Sequence, residues 1–385
     1  MNKFRVLAGI LFFCAALGWG DIFTWAGGSS GYWNNPANWA PPNPNRFPGY
    51  NLSGAGSPVN GDIAVFNGPA TVTLYSLSSG MDVTIQLDPG ASSVTLKNAL
   101  PGGTNLGSFS LQAQDGSGPV WLTVAGTLTF DDEFKAIITR TTKSLSIASD
   151  GNFTLAGAGI NSEGPVTITA AGAITIKGPI ASTGTGSSIA ISAAGAIDAN
   201  DASAAICSTD GTITLTADDI ELYTASSQPA TVDAGSGLVR ILNKTKDAKI
   251  VLGGTGTGVI SLSAAEIDHI SAHALEIGDK ATSGDITING DVTFPIIKIN
   301  TKSSIAQISG TITAATLEID AAGIVDVDDS AHAVTALKVI NSAGMQFKNT
   351  GALGITQITS SGAVGVEAGG AITISGPTGN TGTGA

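Results

Sequence analysis

The sequence predicts an all-β chain that winds as a parallel β-helix, a solenoid in which each coil stacks on the previous one. The segment VTITAAGAITI, which begins at Val166, returns as IAISAAGAID at Ile189 and more loosely as ITLTADDIEL at Ile213. A period of roughly 23–24 residues is typical of units that bury their apolar face only by stacking on a copy of themselves. From Ala70 onward, short runs also alternate apolar residues with Thr or Ser, as strands with one buried face do.

A β-sandwich also uses many short strands, but it pairs chain neighbours in antiparallel fashion, with turns roughly every 8–12 residues. The observed period spans two or three strands, which favours pairing of each strand with its equivalent one coil later. In-register stacking then places Ile174 beside Ile197 and Val166 beside Ile189. Aliphatic residues are expected to form buried ladders, with Thr and Ser in rows outside.

The chain is expected to begin with a secretory signal peptide, residues 1–20. Lys3 and Arg5 form its positive region, residues 6–17 its apolar region, and Gly-Trp-Gly a cleavage site just before Asp21. A membrane anchor is the alternative, but the apolar run is short and no stop-transfer pattern follows. The sequence therefore predicts export.

Residues 21–60 differ from everything that follows, because they hold Trp25, Trp33 and Trp39 and a proline-rich run. The segment TWAGGSSGYWNNPANWAPP, followed by GDIAVF from Gly61, resembles the opening of bacterial autotransporter passengers and filamentous-haemagglutinin-like adhesins. The resemblance implies a right-handed parallel β-helix after this segment, and a location at the bacterial cell surface, at the outer membrane or outside the cell.

The three tryptophans allow two interpretations. Their rings could form a platform on which a glycan stacks, or they could pack as a cap over the first coil, since an exposed solenoid end needs covering. Large aromatic side chains more often contribute buried area, which favours the cap. Residues 61–385 are then expected to form one β-helical domain of roughly 22–24-residue coils that continues past the end of the sequence.

The composition excludes some partners. Charged residues make up 12% of the 385 residues, against about 25% in a typical globular domain, and the formal net charge is −13. Nucleic acid binding needs clustered Lys and Arg, so nucleic acid is not an expected partner. A membrane is expected to matter only through export machinery or an anchor outside this sequence.

Few residues suggest chemistry. His269 and His273 have the H-x-x-x-H spacing that binds zinc on a helix, but no third ligand is evident. His332 stands alone. Cys14 lies in the expected signal peptide, and Cys207 is expected to be a small buried residue in a ladder, so no internal disulfide is predicted.

Acidic groups occur at residues 131–133, 218–219 and 326–329. Strand alternation places Asp326 and Asp328 on one face, where paired carboxylates could act as acid and base on a polysaccharide or bind calcium. Asp is also a favoured turn residue, and a solvated turn explains each group. No catalytic residue, metal ligand or cofactor is therefore predicted.

These observations predict a non-enzymatic, exported surface protein. It would attach to host or matrix proteins, glycans or other cell-surface components through an extended rod. Two alternatives stay open: a β-helix carbohydrate-active enzyme (a polysaccharide lyase or hydrolase), and a structural spacer of a longer passenger.

Overall fold

The computed structural model describes most of the chain after residue 20. The described residues are 21–48, 50–51, 57–58, 60–68, 70–74, 82–87, 94–98, 104–105, 109–113, 120–124, 128–130, 136–139, 144–149, 151–155, 159–222, 231–254 and 260–380. They divide into two compact units between Thr167 and Ile168. The expected signal peptide and the acidic group at 131–133 lie outside the described residues.

The first unit contains a short 3-10 turn at Pro36–Asn38 and many short strands. The strands are β1 (Ile22–Trp25), β2 (Ser30–Tyr32), β3 (Trp39–Ala40), β4 (Arg46–Phe47), β5 (Tyr50–Asn51), β6 (Ser57–Pro58), β7 (Asn60–Phe66), β8 (Ala70–Leu74), β9 (Asp82–Leu87), β10 (Val94–Asn98), β11 (Thr104–Asn105), β12 (Phe109–Ala113), β13 (Val120–Val124), β14 (Leu128–Phe130), β15 (Ala136–Thr139), β16 (Leu145–Ser149), β17 (Phe153–Leu155) and β18 (Ile160–Ser162).

Three parallel sheets form the faces of the coils in this unit. On one face β8, β10, β13 and β16 pair in register, Ala70 with Val94, Val94 with Val120 and Val120 with Leu145. Each step along this face is close to the repeat length that the sequence predicts. The strands β7, β9, β12, β15 and β18 form a second face, and β11, β14 and β17 a third.

The second unit continues with strands of similar length and then with longer ones. After β19 (Val166–Ala170), which crosses the boundary between the units, come β20 (Ile174–Ile176), β21 (Pro179–Ser182), β22 (Ile189–Ala193), β23 (Ile197–Asp198), β24 (Ala205–Ser208), β25 (Thr212–Thr216), β26 (Ile220–Glu221), β27 (Thr231–Asp233), β28 (Leu238–Leu242), β29 (Ile250–Gly253), β30 (Ile260–Ser263), helix α1 (Ala264–Asp268), β31 (Ile270–Ser271), β32 (Ala274–Ile277), β33 (Ile286–Asn289), β34 (Val292–Thr293), β35 (Ile296–Thr301), β36 (Ile305–Ser309), β37 (Ile312–Ala321), β38 (Ile324–Asn341), β39 (Gly344–Asn349), β40 (Leu353–Ser360), β41 (Val364–Ala368), β42 (Ile372–Ile374) and β43 (Thr378–Asn380).

The early coils of this unit follow the repeat that the sequence predicts. Ile174 pairs with Ile197, as expected, and Ile197 pairs with Ile220. All three side chains are buried, so they form one of the predicted aliphatic ladders. The expected pairing of Val166 with Ile189 involves both units and stays a prediction.

The coil changes between residues 250 and 290. The face formed by β20, β23 and β26 ends, and a new parallel sheet starts with β30, β29 and β33 and continues through β36, β38, β39 and β41. Later steps are shorter than the early ones, as the pairing of Leu317 with Leu337 shows. In β38 the chain runs for 18 residues without a loop, so neighbouring faces join directly and the coil needs fewer residues.

Helix α1 is hydrogen-bonded to the chain at the point where the earlier face ends. Its cap is a capping box between Ser263 and Glu266, and the buried Glu266 carboxylate also accepts the Leu222 N–H at 3.1 Å. Leu222 directly follows β26, so the carboxylate replaces the next strand as acceptor.

These features confirm the predicted fold class. The chain is all-β with almost no helix, and its parallel strands stack as a β-solenoid of about 10 turns. Among the described residues, no helix is long and apolar enough to cross a membrane.

Candidate functional site

The three tryptophans singled out by the sequence pack together in the first unit. The rings of Trp25 and Trp39 lie 5.1 Å apart and those of Trp33 and Trp39 4.8 Å apart, both in edge-to-face contact. Phe66 of β7 joins them, with its ring 5.6 Å from Trp39. Trp33 and Phe66 are 0% exposed and Trp39 is 1% exposed, so the rings form a packed aromatic cluster.

The indole N–H groups of this cluster are satisfied internally. Trp25 donates to the Gly28 carbonyl at 2.8 Å, Trp33 to the Pro48 carbonyl at 3.1 Å, and Trp39 to the Trp33 carbonyl at 2.8 Å. A glycan stacks on an open ring face, whereas these rings pack edge-to-face against one another. This geometry supports packing as the role of the three tryptophans and does not support glycan binding at the cluster.

The two spaced histidines do not lie on one helix. The backbone of His269 caps α1, and the backbone N–H of His273 donates to the Gly237 carbonyl at 3.0 Å in the turn before β32. Within the described part of the chain, no group of three or more His, Cys, Asp or Glu side chains is placed to hold a metal ion.

His332 is a buried hydrogen-bonding group that the sequence did not reveal as one. Its Nδ1 accepts the Ile312 N–H at 2.9 Å, and Nε2 lies 2.9 Å from the Val327 carbonyl. Nε2 therefore carries the proton and the ring is neutral. Burial lowers the pKa of His332, while the bond to Val327 opposes this effect. The available signal was alternation, because His332 occupies an inward position, two residues before buried Val334.

The described acidic groups behave differently from one another. Asp218 accepts the backbone N–H groups of Lys244 and Thr245 at 2.9 and 2.6 Å, so it caps a turn of the next coil. Asp326 and Asp328 are exposed on one face of β38, as alternation predicts. The pKa of Asp326 is raised, first by partial desolvation and then by Asp328, through hydrogen bonding and through its negative charge. The charge of Asp329 adds to the effect.

Cys207 lies on the other face from the one predicted. In β24 the buried positions belong to Ile206 and Ser208, and Cys207 is only half-buried between Ala181 and Asp233 of the neighbouring strands. The prediction of a buried ladder position was wrong because Ile206, which is larger and fully apolar, takes the inward place. Partial burial, followed by the charge of Asp233, raises the pKa of the thiol.

A row of alternating charges on the second unit was not foreseen from the sequence. On the outer face of one sheet, in-register pairs join successive residues of opposite sign. This charge ladder consists of Arg240, Glu276, Lys298, Glu318 and Lys338.

Two contacts within the charge ladder are ion pairs. Arg240 Nη2 lies 2.9 Å from Glu276 Oε1, and Lys338 Nζ lies 3.1 Å from Glu318 Oε2. The first pair is much farther apart in sequence than the second, so no fixed period reveals the row in the sequence. Opposite charges on adjacent strands attract, whereas like charges would repel.

Comparison with protein-family models, with curated proteins and with solved structures found no match. The family resemblance therefore stays a prediction, and the geometry described above is what a functional proposal can rest on.

Proposed function

We propose that this protein is an exported bacterial surface protein that attaches to cells, matrix or glycans through the repeated outer faces of its solenoid. The observation that carries the proposal is the stacking of the strands. It places polar side chains, and the members of the charge ladder, one strand apart on the outer faces, at a spacing of about 4.8 Å. Many weak, regularly spaced contacts add through multivalency, and stacked repeats are widely used as extended binding surfaces.

The proposal includes export by the signal peptide and a role without catalysis or cofactor, as in autotransporter passengers or filamentous-haemagglutinin-like adhesins. The partners are host or matrix proteins, glycans or other cell-surface components. Contact with a membrane is limited to export machinery or to an anchor outside this sequence, and nucleic acid is not a partner.

The test is adhesion of beads coated with residues 21–385 to cells and to immobilised matrix. We expect binding above that of blank beads, and we expect the double variant Lys298→Ser, Lys338→Ser to weaken it. The matched control is Lys280→Ser, Lys302→Ser, which removes two cations outside the charge ladder. Coated beads that bind no better than blank ones would favour the spacer alternative.

One observation favours a second candidate function, the carbohydrate-active enzyme. Asp326 and Asp328 lie on one face of β38 and the pKa of Asp326 is raised, as for a carboxyl that acts as a general acid. Release of reducing or unsaturated sugar from a polysaccharide panel should then fall in Asp328→Ala but not in Glu367→Ala, an exposed control. A panel without any sugar release would remove this candidate.

A further inference from the structure

The first unit contains a buried carboxylate that binds the backbone at the predicted cleavage site. Asp62 of β7 is 0% exposed, and Arg46 donates to both of its carboxylate oxygens at 2.9 Å. Asp62 Oδ1 also accepts the backbone N–H of Asp21 at 2.9 Å. This nitrogen belongs to the residue that directly follows the predicted signal peptide.

Further contacts fix Asp21 at this place. Its carbonyl accepts the Ile63 N–H at 2.9 Å, so both of its backbone groups bond to consecutive residues of β7. The Arg46 guanidinium also pairs with the Asp21 carboxylate and lies 5.4 Å from the centre of the Phe23 ring. The Asp21 nitrogen is thus held by a built site and not by a single surface contact.

The charges of the site favour a cation at this nitrogen. Asp21, Arg46 and Asp62 together supply two carboxylates and one guanidinium. An α-ammonium group at Asp21 would bring the four groups to neutrality, and a buried carboxylate is stable only when it is paired and hydrogen-bonded. An amide N–H at the same position donates a hydrogen bond to Asp62 but brings no positive charge.

We propose that Asp62 and Arg46 form a binding site for the α-ammonium group that signal peptide cleavage creates at Asp21. The inference rests on the export part of the proposed function. A signal peptidase hydrolyses the bond between Gly20 and Asp21, in which water supplies the hydroxyl of the new Gly20 carboxyl and a proton to the Asp21 nitrogen. The freed amine takes up one further proton at neutral pH. Folding then docks this ammonium group against Asp62, which couples maturation to the stability of the first unit.

The first test compares two full-length mature chains. One starts at Asp21 and the other carries Gly-Ser-Gly before Asp21, which keeps an amide at that position. All five tryptophans of the sequence lie at or before residue 121, so tryptophan fluorescence reports on the first unit alone. We expect the free α-amine to lower the unfolding constant by about tenfold or more, as hydrogen bonds to charged groups do. Equal unfolding constants would overturn the proposal.

Asp62→Asn makes this comparison specific. In this variant the Gly-Ser-Gly extension should change the unfolding constant less than twofold, because the partner of the ammonium group is gone. An unchanged tenfold effect would overturn the proposal by showing that the extension acts elsewhere.

A second measurement does not require a variant that folds. The α-amine of the chain that starts at Asp21 is labelled with an amine-reactive ester, in native and in denatured protein, and the lysines serve as internal reference. We expect labelling at Asp21 at least about tenfold slower in native protein, because an ion-paired ammonium is not nucleophilic. Equal rates would overturn the proposal.

N-terminal sequencing of exported protein completes the test. A first residue of Asp21 supports the proposal, whereas another first residue overturns it. None of these readouts depends on adhesion, so failure of this site and failure of the attachment proposal are distinguishable.

Discussion

At the scale of single residues, most buried positions of the described solenoid are apolar, and buried polar residues also stand where the chain leaves the regular register. In β38, the register shifts between Val327 and His332. The unpaired backbone there is satisfied by side chains, since Asn349 bonds both the N–H and the carbonyl of Val334, at 2.9 and 3.0 Å. His332 does the same for Ile312 and Val327. Buried polar residues in this part of the fold are thus substitutes for strand pairing.

We predict that His332 makes the second unit sensitive to acid. Burial lowers the pKa of His332 below its ordinary value of 6.5, so the unfolded chain binds the proton first as the pH falls. Its stabilising contribution is fully present above pH 6.5 and is lost as the pH falls through the lower pKa of the folded state. Hydrogen exchange of the Ile312 amide, followed between about pH 5 and 7.5, should report this loss after correction for intrinsic rates.

The variant His332→Gln separates titration from packing. We expect it to remove the pH-dependent part of the free energy of unfolding. We also expect it to lower that free energy by about 1–3 kcal/mol at neutral pH, because buried backbone groups lose partners. His273→Gln, at an exposed position, is the control and should retain the pH dependence. Persistence of the full slope in His332→Gln would contradict the assignment.

A glycine position also sets how closely coils approach. A Cβ atom on Gly237 would clash with the carbonyl group of Gly211 in the preceding coil, and that contact is to backbone that cannot rotate away. We expect Gly237→Ala to destabilise the second unit by about 1–3 kcal/mol, measured by chemical denaturation. Gly351→Ala meets nothing within 4 Å and should change the free energy of unfolding by less than about 0.5 kcal/mol. Equal effects would show that coil spacing is not the cause.

At the scale of elements, the charge ladder determines which strands can lie side by side. Each of its residues has neighbours of opposite sign, so a strand displaced by one coil would lie beside a residue of like charge. Exposed ion pairs contribute little individually, about 0–1 kcal/mol. Repulsion between like charges in the wrong pairing increases the free-energy difference between the correct and the wrong arrangement. The ladder therefore favours one register more than it increases total stability.

Reversal of one charge tests this role. Glu318→Lys places three cations in a row with Lys298 and Lys338, and we expect it to destabilise the second unit by about 1 kcal/mol or more at low salt. Glu318→Gln should cost less, and salt at about 1 M should reduce the cost of the reversal. The double change Glu318→Lys, Lys338→Glu restores one opposite pair and should recover part of the loss. No recovery at low salt would rule out a charge effect.

At the scale of the whole molecule, the sequence predicts the fold class but not the change of coil. The repeat from Val166 onward reveals period and strand alternation, and the pairing of Ile174 with Ile197 follows from it directly. The shorter coils that come later were not predictable from that repeat, because they arise where loops disappear and strands such as β38 run on. The site at Asp62 was equally hidden, since Asp21, Arg46 and Asp62 are far apart in sequence. The pairing of β1 with β7 brings Asp21 to Asp62, and Arg46 of β4 contacts both carboxylates through its side chain.

The change of coil sets the interface around α1 apart in the second unit, because among the described residues the sheet that contains β20 and β23 ends with β26. In a solenoid, stability is close to a sum of interfaces between neighbouring coils, and at this interface one buried carboxylate accepts several hydrogen bonds. Glu266 accepts the Leu222 N–H, the Ser263 N–H at 2.8 Å and the Ser263 hydroxyl at 2.9 Å. The Glu266 charge also contributes to the raised pKa of Glu221, after desolvation and the charges of Asp198 and Asp219.

We therefore predict that Glu266→Ala destabilises the second unit by about 2–4 kcal/mol, since it leaves two backbone N–H groups without their acceptor. Hydrogen exchange should accelerate first at Leu222 and Ser263, and the pKa of Glu221 should fall toward its ordinary value in a carboxyl titration by NMR. Glu367→Ala is the control, because this exposed carboxylate lies on β41, away from α1. If Leu222 exchanged at an unchanged rate in Glu266→Ala, the carboxylate would not be what closes the earlier face, and the end of that face would have to be stabilised by the packing of α1 alone.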